Sequence, residues 1–226
     1  MPSFSAELIA RTQLSPRVES LTFLAAEPFV RAAGQYVLLT LDEGSSHAFS
    51  VASPFDERAP GKFEVAVARG TTAGGVLELT LGASVMVTGP SGVLVWKGEA
   101  PALLVATGTG ISPLRALVLE QLAQSSRAPL TLLFGCRDAT EELWGREFAR
   151  LAAEHPRFRY LPTHSQPLPG HSGRVGRVQP YLPELVHVLG PELRAYLCGH
   201  TPMVNACTSL LLEHGVAPER IHGESY

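Results

Sequence analysis

Cysteine is scarce: Cys136, Cys198 and Cys207 are the only three in the chain. They are too few and too scattered for a disulfide framework. They also fall short of the four ligands that an iron–sulfur cluster generally takes, so no cluster is expected within this chain. A reducing cytoplasm fits that usage. Lysine is nearly absent, with only Lys62 and Lys97; arginine carries almost all the positive charge. The formal net charge of -3 gives no basic surface for nucleic acid and no affinity for an acidic membrane. No run of 18 apolar residues is free of Gly, Pro or charge, so no transmembrane helix is expected. The opening MPSFSAELIA lacks a basic stretch followed by an apolar one, so no signal peptide is expected. Internal repeats and low-complexity tracts are missing too. The Gly-x-Ser-x-Gly elbow of a serine hydrolase is absent. His155, His164, His171, His187, His200, His214 and His222 show no metal-ligand spacing beside carboxylates, so no metal site is expected.

What the chain has is a turn. Leu103-Leu104-Val105-Ala106 reads as a strand buried on both faces. Thr107-Gly108-Thr109-Gly110 follows, and two glycines one residue apart let the backbone turn sharply against a ligand. Ser112 is a candidate cap and Pro113 a good first helical residue. Leu114, Leu117 and Val118 then repeat at helical spacing. Such a turn aims backbone N–H groups at whatever lies above it, a place that suits phosphate. An ordinary strand-to-helix turn is the plain alternative, because the usual dinucleotide fingerprint has a third glycine where Pro113 stands.

The 226 residues suit two domains, and 45% apolar residues are enough to give each a core. The first hundred read as β structure. Strand-like runs at 3–11, 17–25, 36–41, 62–69 and 84–88 are punctuated by Gly and Pro, as in a small antiparallel barrel. His47 to Pro54 is a further strand, with His47, Phe49 and Val51 on one side and Ala48, Ser50 and Ala52 on the other. Val76 to Leu79 reads as a short helix with a glycine-rich start. After Gly98, apolar runs at 102–106, 130–135, 158–161 and 194–198 alternate with helix-like stretches at 113–124, 140–154 and 202–214. That alternation implies a parallel sheet, here expected with five strands and the Leu103 strand central. Residues 164–176 read as a loop. The boundary between a barrel over 1–98 and an α/β domain over 99–226 is expected near Lys97 to Ala100.

Taken in order, these pieces resemble the ferredoxin–NADP reductase family of flavoproteins. Gly34-Gln35-Tyr36 looks like the family's GQY. His47-Ala48-Phe49-Ser50 is similar to its flavin motif Arg-x-Tyr-Ser. Gly74-Gly75-Val76 falls where the family starts a helix under the flavin pyrophosphate. Gly89-Pro90-Ser91-Gly92 is similar to the GPxG that closes its barrel. Thr107 to Pro113 is almost letter for letter its nicotinamide nucleotide loop. Phe134-Gly135-Cys136-Arg137, Cys198-Gly199 with Met203, and Glu224-Ser225-Tyr226 complete the set.

The resemblance implies a flavin-binding β-barrel followed by a Rossmann-like α/β domain, and an enzyme that takes hydride from NADH or NADPH onto FAD. It places Ser50 beside the reactive flavin nitrogen and Phe49 against the ring. Backbone groups of Ala66, Val67 and Ala68 and the loop Gly74, Gly75, Val76, Leu77 would hold the rest of the flavin nucleotide. Thr107, Gly108, Thr109, Gly110, Pro113, Arg137, Gly199 and Met203 would bind the nicotinamide nucleotide. Cys198 would border the nicotinamide slot, Glu224 would supply a proton, and Tyr226 would stack over the flavin.

Three departures bear on affinity: His47 for Arg, Phe49 for Tyr, and Leu77 where Ser or Thr is usual. They open the alternatives of FMN or of flavin as a dissociable substrate. His164-Ser165 stands where NADP-dependent members carry Ser-Arg, leaving Arg174 as the nearby cation and favouring NADH slightly. A monomer is expected, handing electrons to a separate ferredoxin, flavodoxin or oxygenase component. A flavin reductase acting on free flavin is the second reading, and a non-catalytic electron-transfer subunit the third.

Overall fold

The computed structural model describes residues 1–41 and 44–226. Its first half is a six-stranded antiparallel sheet built from β1 (Ser3–Ser15), β2 (Val18–Ala25), β3 (Tyr36–Thr40), β4 (Ser46–Ser50), β5 (Lys62–Ala68) and β6 (Ser84–Ser91). Their order is β4-β3-β6-β1-β2-β5. A single bridge between Val51 and Val65 joins the two edges and closes the sheet into a barrel. Closure removes the exposed edges that an open sheet would present. Alternate residues pack the interior: Leu8, Leu21, Phe23, Val37, Leu39, Phe63 and Val65 are all fully buried.

The second half is a parallel sheet of six strands rather than five. They are β7 (Ala102–Thr107), β8 (Leu130–Cys136), β9 (Phe158–His164), β10 (Arg174–Val175), β11 (Arg194–Gly199) and β12 (Ile221–Ser225). The order is β10-β9-β8-β7-β11-β12, so the Leu103 strand lies centrally, where the chain reverses its direction of winding. Four of these are the apolar runs named from sequence; β10 and β12 are the other two. The last residues pair in parallel with β11, from Ala195 opposite Ile221 to Gly199 opposite Ser225. The segment expected as a loop contains β10, two residues long and paired with the end of β9.

Four helices cover this sheet: α1 (Ile111–Leu122), α2 (Gly145–Glu154), α3 (Leu182–Leu189) and α4 (Thr201–Glu213). The sequence reading omitted α3, whose eight residues start at a proline-containing turn. The short helix expected at 76–79 is instead a 3-10 turn over Thr72–Glu78. Ser112 does not cap α1. It lies inside the helix, and Gly110 holds the capping position without a side chain to offer.

The two halves share one apolar core. Val18, Ala33, Ala66 and Leu94 from the barrel side pack with Leu104, Ile111, Leu114 and Leu117. Burial of that shared surface opposes free rotation of one half on the other.

Candidate active site

The carboxyl ends of β7, β8 and β11 face the barrel across a cavity of about 990 Å³. That is the upper end of the range for small-molecule sites. From the barrel come Ala48, Phe49 and Ser50 at the end of β4, Ala66 and Ala68 on β5, and Arg69, Thr71, Thr72 and Ala73 beyond it. From the α/β half come Thr107 to Gly110, Ser112, Arg137, Ser165, Arg177, His200, Met203 and Tyr226. The flavin strand and the glycine turn, which the sequence nominated separately, therefore form opposite walls of one site.

Several nominated residues lie elsewhere. His47 does not line the cavity, although Ala48, Phe49 and Ser50 do. Val67, Val76 and Leu77 point into the barrel core, so only their backbone is available to a ligand. Gly74 and Gly75 belong to the 3-10 turn behind Ala73. Pro113 is buried in the first turn of α1.

Cys198 is 3% exposed and packs in the core beneath the site with Gly199 beside it. Burial, with the Glu224 carboxylate nearby, pushes the Cys198 thiol up to about 12, so it stays protonated at neutral pH. Glu224 turns toward the chain leaving the barrel and accepts the Val93 amide at 3.3 Å. Burial raises its pKa, against the opposing pull of the Val93 and Leu94 amides.

The glycine turn is tighter than a ligand alone would require. A Cβ on Gly110 would lie 2.4 Å from the Cys198 carbonyl oxygen and 2.7 Å from the Gly199 nitrogen. Gly110 thus lets the turn pack directly against the end of β11. Gly108 has φ +55°, a conformation that favours glycine, and its open side faces the Tyr226 hydroxyl.

That hydroxyl is held at three points. It accepts from the Gly110 amide at 3.1 Å and the Thr109 hydroxyl at 3.2 Å, and it donates to the Thr107 carbonyl at 3.1 Å. The ring itself is half open to solvent and lies 5.3 Å from His200. His200 was missed as a site residue. It precedes α4, and only the fold of β11 brings it to the cavity.

Two observations fit a nucleotide ligand. The hydroxyls of Thr107 and Ser112 are buried without a hydrogen-bond partner among the described residues, although both line the cavity. Buried polar groups are ordinarily satisfied, so these are available to a ligand. Cations also ring the space. Arg17 is paired with Glu141 and Arg69 with Glu19; Arg137 forms no ion pair among the described residues, though its charge is felt by Asp138, and Arg177 has no acidic partner among them. Backbone bonds hold the chain around Arg137 beside the segment that leads to Arg177: Gln166 N donates to Arg137 O, Ser165 N to Cys136 O and Gly176 N to His164 O. Arg174, the cation nominated from sequence, stays off the cavity wall and lies over the Tyr181 ring at 5.9 Å.

A closed antiparallel barrel and a parallel α/β sheet that share a nucleotide-sized cavity define a two-nucleotide reductase architecture. Comparison with known proteins is consistent with this. The family model described as oxidoreductase NAD-binding domain matches residues 104–209. Ferredoxin–NADP reductase B of Sorangium cellulosum is 36% identical, over 99% of this chain and 97% of its own length. The reductase component of phenol 2-monooxygenase from a Pseudomonas species is 31% identical over 90% of this chain, which spans 60% of that longer relative. Among solved structures, the Amycolatopsis cytochrome P450 reductase GcoB superposes with a TM-score of 0.89 at 28% identity, covering 99% of this chain and 69% of its own. A Neisseria gonorrhoeae ferredoxin–NADP reductase with bound FAD and NADP gives 0.84 at 19% identity, over 100% and 99% of the two chains, and supports the fold. The chain belongs to the ferredoxin–NADP reductase family of flavoprotein oxidoreductases.

Proposed function

We propose that this chain is an NAD(P)H-dependent reductase that holds FAD against its barrel and delivers electrons to a separate acceptor, a ferredoxin, a flavodoxin or an oxygenase component. The observation that carries the reading is the shared cavity, with Ser50 on one wall and the Thr107–Gly110 turn and its two unpartnered hydroxyls on the other. A flavin held here would supply hydride acceptance from reduced nicotinamide and onward electron transfer. The chain's part is to bind and orient. Phe49 and Ala48 give an apolar wall, and the Ser50 hydroxyl, which makes no hydrogen bond among the described residues, can hold or relay a proton. Arg69, Thr71 and Thr72 offer charge and donors to the flavin phosphates. Thr107, Ser112 and the Gly110 amide do the same for the nicotinamide nucleotide, once Tyr226 moves aside.

The working units are the barrel, residues 1–98, and the α/β unit, residues 99–226. The acting unit of this reading is a single chain. Three free cysteines fit a cytoplasmic setting, and no helix among the described residues is long and apolar enough to cross a membrane. Reduction of free flavin is the second reading. It is favoured by the absence of His47 from the cavity wall, which leaves the flavin without the family's arginine clamp.

One experiment tests both. The purified protein's absorbance spectrum is recorded, followed by anaerobic titration with NADH and with NADPH. Bound flavin that bleaches with nucleotide supports the first reading. A colourless protein that reduces added flavin supports the second, and no nucleotide-dependent reduction rejects both.

A further inference from the structure

Arg115 joins the two walls of the site from behind. It stands on α1, five residues after Gly110, and its side chain is only 12% exposed. Nη1 donates to the Ala52 carbonyl at 2.8 Å and to Glu64 Oε2 at 2.9 Å. Ala52 lies two residues past Ser50, and Glu64 is on β5. On its other side the guanidinium grips Glu147 of α2 with two bonds, Nε at 2.5 Å and Nη2 at 3.0 Å. The Trp144 ring covers it at 4.8 Å. Burial works to lower its pKa, but the hydrogen bonds and charges of Glu147 and Glu64 outweigh this and the net shift is upward. A guanidinium stays charged at any working pH, and removing it would leave two partly buried carboxylates without this partner.

We propose that Arg115 is a positioning residue: its bonds to Ala52 and Glu64 fix the Ser50 strand against the helix that carries the glycine turn, and so set how nicotinamide faces flavin. The inference rests on the reductase reading above. Hydride transfer demands close, aligned reacting atoms, and small misplacements cost far more in rate than in binding. The two arms of the clamp have different duties. The Glu64 and Ala52 arm crosses between the halves of the site, whereas the Glu147 arm stays within the α/β half.

The test uses the flavin-loaded protein with Arg115→Gln, Arg115→Lys, Glu64→Gln and Glu147→Gln. Three quantities are read anaerobically: the long-wavelength charge-transfer band on adding nucleotide, the flavin reduction rate at saturating nucleotide against the KM, and the thermal midpoint. Arg115→Gln is expected to weaken the band at least fivefold and the saturating rate at least tenfold, with KM changed less than twofold. Arg115→Lys should recover part of both, since an ammonium reaches the carbonyl but cannot grip Glu147 twice. Should Arg115→Gln not fold, the carboxylate pair decides. Glu64→Gln should weaken band and rate, while Glu147→Gln should lower the midpoint and leave both within twofold. Equal losses in the two, or an Arg115→Gln variant that loses stability with band and rate intact, overturn the proposal. A parent protein with no nucleotide-dependent reduction overturns the reductase reading and this inference together.

Discussion

The Tyr226 hydroxyl accepts a hydrogen bond from the Gly110 amide at 3.1 Å. It therefore occupies a donor that the glycine turn would otherwise aim at a phosphate. The family resemblance assigns this residue to the flavin face; the geometry adds a contest at the nucleotide turn. A net hydrogen bond is worth about 1 kcal/mol. Tyr226→Phe keeps the ring and drops the hydroxyl, so NAD(P)⁺ should bind about fivefold tighter. Tyr226→Ser, which also clears the ring, should bind tighter still. Calorimetric titration checks both, and affinity unchanged in both variants would remove Tyr226 from the contest.

Gly110→Ala tests the packing account of the turn. The added Cβ would fall 2.4 Å from the Cys198 carbonyl oxygen. Overpacking of this kind costs about 1–3 kcal/mol. For a chain of this size each kcal/mol lowers the melting temperature by roughly 2–4 °C. A variant that melts with the parent, yet binds nucleotide poorly, would return Gly110 to a ligand-contact role alone.

Flavin affinity should depend on Arg69 more than on His47, because Arg69 borders the cavity and His47 does not. Arg69→Gln is expected to raise the FAD dissociation constant roughly tenfold, the loss of one charge-assisted bond. His47→Ala should change it less than twofold. Quenching of flavin fluorescence on binding measures both, and the reverse ranking would restore His47 as the clamp.

Choice between the nicotinamide nucleotides should follow Arg177. It stands in the cavity without an acidic partner among the described residues, whereas Arg174 lies over Tyr181. Arg177→Ala is expected to raise the KM for NADPH roughly tenfold, with little change for NADH, since only the former carries the extra phosphate. Arg174→Ala should alter neither. Equal effects of Arg177→Ala on both nucleotides would place it away from that phosphate.

Alkaline pH should destabilise the fold. Burial pushes each of Cys136, Cys198 and Cys207 up to about 12. In the unfolded chain a thiol ionises near pH 8.5. Below about pH 8 both states keep the proton and the thiols contribute nothing to the pH dependence. Above about 8.5 the unfolded state loses protons that the folded state retains, so stability falls as pH rises. Melting temperatures from pH 7 to 10.5 should stay level and then decline, and Cys198→Ala should soften the decline. A flat profile would contradict it.

Much of the architecture was legible because its signals are local. The alternation in Phe63, Val65 and Val67 gives a strand with one buried face, and Leu103 to Gly110 gives strand and turn within eight residues. β10 was not legible, because two residues, Arg174 and Val175, carry no period and pair only where β9 happens to end. α3 was hidden behind Pro180 and Pro183, which read as loop until Leu182, Leu185 and Val186 are seen packed under the sheet. The site divides in the same way. Ser50 and Gly108 belong to motifs; His200, Arg177 and Arg115 are brought in by tertiary structure. Arg115 did leave a trace, a lone charge among Leu114, Ala116, Leu117 and Val118 on an otherwise apolar stretch.

The bond from Val93 to Glu224 spans 131 residues. Closing so long a loop is among the slower contacts a chain makes. In refolding, the barrel and most of the parallel sheet can form from contacts nearer in sequence, and β12 pairs with β11 late. Until it does, the Thr107–Gly110 turn stays uncovered by the Tyr226 hydroxyl. The cover of the turn is thus the part of the site most sensitive to how far the molecule has folded.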